Sequence, residues 1–243
     1  MTHSARLIVL HTLKYTDSSL LVYAYTDLFG RQTYLLRGIR TVKKHGAAAH
    51  FFPLHILEAE VYHKQGASIH HIKEFHTTNA LQGIRTHLHK SAIALFLGEA
   101  LYKIVREEES NPSLFQFLSQ SILELDAYAD GVANFHLHFL TRLCAHLGYA
   151  PHLNYHPQNA PFFDIAQGFF VPSDALLGPA FSGEESALFY QFLIAPDAST
   201  AGKIALNGTQ RDLFVKDIVR YLSYHLNAPL VLNAPEVLRQ VLQ

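Results

Sequence analysis

The first 78 residues alternate apolar and polar side chains with the short period of β-strands, and turn motifs separate the runs. In the run from 56 to 63, Glu58 and Glu60 share one face and the apolar residues share the other. The pattern predicts five strands, at residues 6–12, 20–26, 32–37, 56–63 and 68–75. Five short strands with one long third connection, from 38 to 53, are typical of a small Greek-key barrel such as the OB-fold. A small SH3-like barrel is the alternative.

From Asn79 onwards the apolar residues recur with the period of an α-helix. Ser182 and Glu185 form a capping-box pattern at the start of one helix, and Asp130 is in position to cap another. The predicted helices cover residues 91–105, 113–125, 131–149, 182–193, 211–226 and 235–242. Between them, residues 150–181 are irregular and rich in Pro, Gly and aromatic side chains.

The two periods together predict a multi-domain α+β protein. An N-terminal five-stranded OB-fold barrel occupies residues 1–79, and an α-helical domain occupies residues 80–243, with 150–181 as a small irregular or β insertion. An apolar fraction of 49% supplies a sizeable core, and a charged fraction of 16% argues against a disordered chain. No apolar run reaches the ~18 residues that a membrane span requires.

One cysteine, Cys144, excludes an intrachain disulfide and a zinc site built from cysteines. With no signal-peptide pattern at the start, we expect a cytoplasmic protein that does not bind membranes. Cys144 lies in an apolar helical stripe, which favours a buried and inert thiol over a nucleophile. The chain has no GxSxG, GxGxxG, P-loop or HExxH motif, and its paired histidines diverge. We therefore predict no catalytic residues and no metal site.

Positive charge is concentrated near the N-terminus of an almost neutral chain. Residues 1–78 carry nine Lys and Arg against five acids, a charge of +4, and residues 79–243 carry ten against fifteen, a charge of −5. Residues 30–46 alone hold five of the nineteen Lys and Arg and no acid. Such asymmetry indicates that the two parts meet different partners.

The basic segment favours nucleic-acid binding, because guanidinium and ammonium groups bind phosphates and loop glycines allow close approach. Tyrosines near it in sequence could stack on bases, as aromatic residues of OB-folds do. The predicted DNA-binding residues are Arg31, Arg37, Arg40, Lys43, Lys44, Lys14 and Tyr34. The alternative is a loop whose lysines only keep the barrel soluble, with tyrosines that are simply packed.

The order of these features resembles the RecO family of bacterial recombination mediators. The residues that match the first-domain signature are Lys14, Tyr15, Asp17, Ser19, Thr26, Gly30, Arg31, Arg37, Gly38 and Arg40. Further matches are residues 53–75 and the helical block that ends at 147–153, so the resemblance covers nearly the whole chain.

The resemblance implies a DNA repair and recombination mediator without enzymatic activity, cytoplasmic and associated with the nucleoid during repair. Such proteins bind single- and double-stranded DNA and anneal complementary strands. With the partner RecR and the single-strand-binding protein, they help to load the recombinase in gap repair. The acidic helical part suits protein contacts, and Arg142, Lys203 and Lys216 are the predicted contributors to partner binding.

Many relatives carry four cysteines of a zinc-ribbon-like insertion after the segment that ends at 153, whereas residues 154–172 contain none. We therefore expect no zinc or other cofactor. The segment is expected to keep the shape of the ribbon with a hydrophobic substitute built from Phe162, Phe163, Phe169 and Phe170. Alternative functions are an OB protein that binds structured RNA, an adaptor with an incidental basic loop, and a metal-dependent enzyme built on the histidines.

Overall fold

The structure, a computed structural model, describes residues 2–39, 46–129 and 131–242. Five strands form a closed barrel in the order β1-β2-β3-β5-β4, and this confirms the predicted OB-like barrel. All neighbours are antiparallel except β3 and β5. The strands are β1 Thr2–Lys14, β2 Leu20–Thr26, β3 Gly30–Leu36, β4 Ile56–Tyr62 and β5 His70–Thr77.

Alternation along the strands fills the barrel with apolar side chains. The interior includes Leu7 and Val9 of β1, Val22 of β2 and Val61 of β4, all fully buried. A 3-10 turn at Ala47–Phe51 adds a buried phenylalanine to this core. The two ends of the barrel are named here after β3. The Gly30 end is where β3 begins, and the Arg37 end is where β3 stops.

Three helices follow the barrel: α1 Gln82–Thr86, α2 Leu88–Ile104 and α3 Pro112–Ala127. Nζ of Lys90 donates to the backbone carbonyl of Asp126 at 2.7 Å, and the Asp126 carboxylate accepts from the Ile84 amide at 2.8 Å. The barrel and these helices form one compact unit, Met1–Ala127, and the rest of the chain forms a second, Tyr128–Gln243. The domain division at residue 79 stays a prediction.

The second unit is mainly helical, as the periodicity predicts. The capping box at Ser182 and Glu185 is formed, with both reciprocal hydrogen bonds present. The predicted cap Asp130 lies outside the described residues. The elements are α4 Phe135–His146, β6 Phe162–Asp164, β7 Phe169–Val171, α5 Gly183–Ile194, α6 Ala198–Gly202, α7 Gly208–His225 and α8 Ala234–Val241.

The irregular segment contains a small hairpin, β6–β7, which is the predicted β insertion. The rings of Phe163 and Phe170 are buried 4.9 Å apart, whereas Phe169 is partly exposed and stacks on His152. Asp164 organises the adjoining turn by accepting from backbone amides, including that of Leu177 at 2.9 Å. Its burial alone would raise its pKa, but these hydrogen bonds outweigh it and lower the pKa.

Across the described part of the chain, no helix has both the length and the apolar character needed to cross a membrane.

Candidate nucleic-acid interface

The outer surface of β1, β2 and β3, called here the β1–β3 face, presents two rows of side chains across the strands. Strand register aligns His11, Tyr23 and Thr33 in the first row. The second row contains only leucines: Leu13, Leu21 and Leu35. Leu13 is 43% exposed, which makes this a surface that solvent and ligands can reach. The even-numbered neighbours on β2 and β3 point into the barrel core.

Lys14 and Arg37 lie at the Arg37 end of this face. The register aligns Lys14 with Leu20 and Leu36, and Arg37 follows Leu36 directly. Both basic residues are exposed. Lys14 forms an ion pair with Asp17 at 2.7 Å, but exposed pairs contribute only ~0–1 kcal/mol and give way to a phosphate readily. The predicted Arg40, Lys43 and Lys44 lie outside the described residues.

Arg31 lies at the Gly30 end, six residues from Arg37 and therefore about 20 Å away along an extended strand. Its guanidinium donates to the carbonyl of Val105 at 3.1 Å, and its backbone amide donates to the carbonyl of Glu107 at 2.8 Å. The structure therefore does not bring Arg31 together with Arg37 and Lys14. It anchors Arg31 to the linker between α2 and α3.

Tyr34 points into the barrel, where its side chain is completely buried. Among the described residues its hydroxyl has no hydrogen-bond partner, and burial raises its pKa. A buried ring cannot stack on a base, so Tyr34 is a core residue and is not part of the interface. The sequence 32–37 has apolar residues on both faces, and this pattern did not reveal which face is the inner one.

Tyr102 extends the face next to His11, and neither residue was among those predicted from the sequence. Tyr102 of α2 lies 4.9 Å from Tyr23 and 4.8 Å from His11, measured between ring centroids. All three side chains are half-buried. Burial raises the pKa of Tyr23, as does its neighbour Tyr102, and burial lowers the pKa of His11. One feature of the sequence could have identified Tyr102: it is an aromatic residue outside the apolar stripe of its helix.

Acidic side chains border this region as well. Glu99 forms an ion pair with Lys103 at 3.0 Å on α2. The three glutamates Glu107, Glu108 and Glu109 are exposed in the linker, as expected for a solvated run. The Gly30 end is therefore of mixed charge, whereas the two described basic residues at the Arg37 end have one acidic partner, Asp17.

The three basic residues predicted to bind a partner are all exposed but lie on different helices. Arg142 is on α4, Lys203 follows the end of α6, and Lys216 is on α7. An open groove of 680 Å³ in the second unit has Arg220 as its cation and includes Tyr224. None of the three predicted residues lines this groove.

Cys144 is fully buried, and burial raises the pKa of its thiol to about 12. Its sulfur donates to the carbonyl of Leu140 at 3.3 Å. A thiol with this pKa is almost entirely protonated at neutral pH and is a poor nucleophile. Within residues 2–39, 46–129 and 131–242, no group of three or more His, Cys, Asp or Glu side chains is placed to hold a metal ion. The expected lack of enzymatic activity and of a metal stays a prediction.

Two family models match this chain, one described as Recombination protein O N terminal over residues 1–81 and one as Recombination protein O C terminal over residues 85–232. A DNA repair protein RecO of Bacteroides fragilis is 35% identical over 235 residues, 96% of each chain. One of Flavobacterium psychrophilum is 32% identical over 242 residues, 99% of each chain. Since the match extends over both terminal models and almost the full length of these relatives, the chain belongs to the RecO family.

Proposed function

We propose that this protein is a recombination mediator that binds single- and double-stranded DNA and promotes strand annealing. Together with RecR and the single-strand-binding protein, it helps to load the recombinase in gap repair. Membership of the RecO family supports the role in DNA repair and recombination. The observation that supports a DNA-binding surface is the position of Lys14 and Arg37, both exposed at one end of the β1–β3 face.

The chemistry of such a surface requires no bond to be broken. Two complementary strands repel each other through their phosphates, and cations between or beside them lower that repulsion. Arg40, Lys43 and Lys44 follow Arg37 within seven residues, so they add charge to the same stretch of chain. We assign DNA contacts to these residues together with Arg37 and Lys14, with no catalytic residue and no cofactor.

Residues 79–243 have a charge of −5, so we assign protein contacts to this part. Arg142, Lys203 and Lys216 stay the proposed partner-binding residues. An OB protein that binds RNA and an adaptor without nucleic-acid contacts are the alternatives, and affinities for RNA and DNA oligomers of one sequence separate all three.

Replacing Arg37, Lys43 and Lys44 together with Ala tests the DNA surface. We expect weaker binding to single-stranded DNA at low salt, because each lost phosphate contact removes a released counterion. The slope of log K against log salt should fall by up to about 2, at ~0.7 per contact with single strands. Fluorescence anisotropy with a labelled oligomer, titrated at several salt concentrations, measures both quantities.

The matched control replaces Arg142, Lys203 and Lys216 with Ala, which removes the same number of positive charges from the second unit. We expect this variant to keep the wild-type DNA affinity and salt slope. Equal losses in the two folded variants would show that binding depends on net charge alone and would remove residues 37–44 from the interface.

A further inference from the structure

The rings of His11, Tyr23 and Tyr102 form a cluster, called here the aromatic cluster, where α2 meets the β1–β3 face. Tyr23 and Tyr102 meet edge to face, and the ring of His11 is stacked with that of Tyr23 at 6.1 Å. The centre of the Arg31 guanidinium lies 4.6 Å from the Tyr102 ring and 5.9 Å from the Tyr23 ring. The cluster therefore combines π-faces with a positive charge.

The position of the cluster differs from that of an ordinary core contact. The apolar side of α2 is sealed, with Phe96 and Leu101 completely buried. In contrast, Tyr23 and Tyr102 are only half-buried. The cluster lies at the rim of the packed region, where a ligand can reach it.

Arg31 is held in place before any ligand arrives. One guanidinium nitrogen, Nη1, donates to the Val105 carbonyl at 3.1 Å, and the two tyrosine rings lie beneath the group. An arginine fixed in this way loses little side-chain entropy when it binds an anion, and its other N–H groups match phosphate oxygens. Arg31 is therefore suited to bind one phosphate at a fixed position, whereas the exposed Arg37 is not held in place by such contacts among the described residues.

We propose that the aromatic cluster stacks an unpaired nucleobase while Arg31 binds the adjoining phosphate, so that this site is specific for single-stranded DNA. This inference rests on the proposed function and assigns a strand preference to part of its surface. Paired bases in a duplex already cover their faces by stacking and cannot enter such a site. A free base can, because aromatic stacking requires only an accessible π-face.

The layout of the β1–β3 face is consistent with a strand that runs along it. The aromatic row at His11 and Tyr23 is followed by the leucine row, and then by Lys14 and Arg37. The distance of about 20 Å between Arg31 and Arg37 suits a short run of nucleotides, as OB-folds bind ~4 or more each. Glu99 is paired with Lys103 on α2, and the exposed glutamates at 107–109 lie in the linker that Arg31 contacts, so the strand must leave the Arg31 site on the side away from this linker.

The test replaces Tyr23 and Tyr102 together with Leu in the full chain and uses three probes of equal length. These are a thymine oligomer, an abasic oligomer with the same phosphates, and a duplex. We expect a roughly 5- to 150-fold loss of affinity for the thymine oligomer, the range given by one lost base stack. Affinity for the abasic oligomer and the duplex, and the salt slope, should not change.

Two further variants keep the test decisive. Tyr62→Leu removes a tyrosine that is 48% exposed on β4, away from the cluster, and should bind like the wild type. Tyr102→Phe keeps the ring and should retain most of the thymine-oligomer affinity. If Tyr102→Phe binds as weakly as a folded Tyr102→Leu variant, the ring face is not the binding element and the proposal is overturned.

The outcomes separate this inference from the proposed function. Wild-type protein that binds no DNA of any kind overturns both. Wild-type protein that binds thymine and abasic oligomers equally, or a folded double variant with unchanged preference, overturns the base-stacking site and leaves phosphate binding intact. Equal melting temperatures of the variants and the wild type confirm that folding is not the cause.

Discussion

Gly30 allows the linker between α2 and α3 to lie directly against the barrel. Its φ of +61° is in the left-handed region, and a Cβ at this position would lie 2.6 Å from the carbonyl oxygen of Glu107. The same carbonyl accepts the hydrogen bond from the Arg31 amide. Glycine is therefore required at position 30 for two reasons: its backbone conformation and the absence of a Cβ.

Replacing Gly30 with Ala should lower the free energy of unfolding by more than 2 kcal/mol, about the sum of a strained φ and a displaced linker. Urea denaturation measures the loss. Gly66→Ala is the matched control, since Gly66 has a φ of +77° and no atom within 4 Å of the added Cβ. It should lose only ~1 kcal/mol. Equal losses in the two variants would mean that the linker moves aside at no cost.

At the level of single residues, the sequence identified the exposed basic side chains but not the direction in which the tyrosine side chains point. Arg37 and Lys14 are exposed, as a phosphate contact requires. Tyr34 was misread, because a strand that is apolar on both faces does not show which side is buried. The joining of Tyr23 to Tyr102 depends on how α2 packs on the barrel, and no local pattern encodes that contact.

At the level of elements, the predictions that had a strong local cause were confirmed. The capping box at Ser182 fixes the start of α5, and periodicity located the other long helices. The five-residue helices α1 and α6 were missed, since one turn and a half is too short to show a period. β1 is longer than predicted because its polar first residues pair with β4, a contact that alternation does not report.

The hairpin β6–β7 and its surroundings are predicted to keep their structure without metal. Buried rings at Phe163 and Phe170 and the hydrogen bonds of Asp164 already hold this segment together. We therefore expect a chelator to leave the melting temperature of purified, untagged protein unchanged. Elemental analysis is the companion measurement, and one zinc per chain would contradict the prediction.

For the whole molecule, near neutrality is an average over two oppositely charged parts. The first 78 residues carry +4 and the remainder −5. This asymmetry agrees with the division proposed above, in which the basic part contacts DNA and the acidic part contacts proteins.

The proposed mediator role predicts faster annealing of strands that are already covered with protein, an effect that DNA binding alone does not explain. Complementary strands covered with the single-strand-binding protein should anneal faster when this protein is added, because it must act on DNA that is already occupied. The annealing rate is measured, with and without RecR, by fluorescence quenching between labels on the ends of the two strands. No acceleration under either condition would be incompatible with a mediator.

The contact between Gly30 and the linker also sets an order of events during synthesis on the ribosome. The amide of Arg31 finds its partner only when Glu107 has emerged, long after β5 has been made. At 5–20 residues per second, the start of β3 waits several seconds or more with an unpaired backbone amide. Until then this amide can pair only with water, so the Gly30 end of the barrel makes its last backbone contact after α2 has been synthesised.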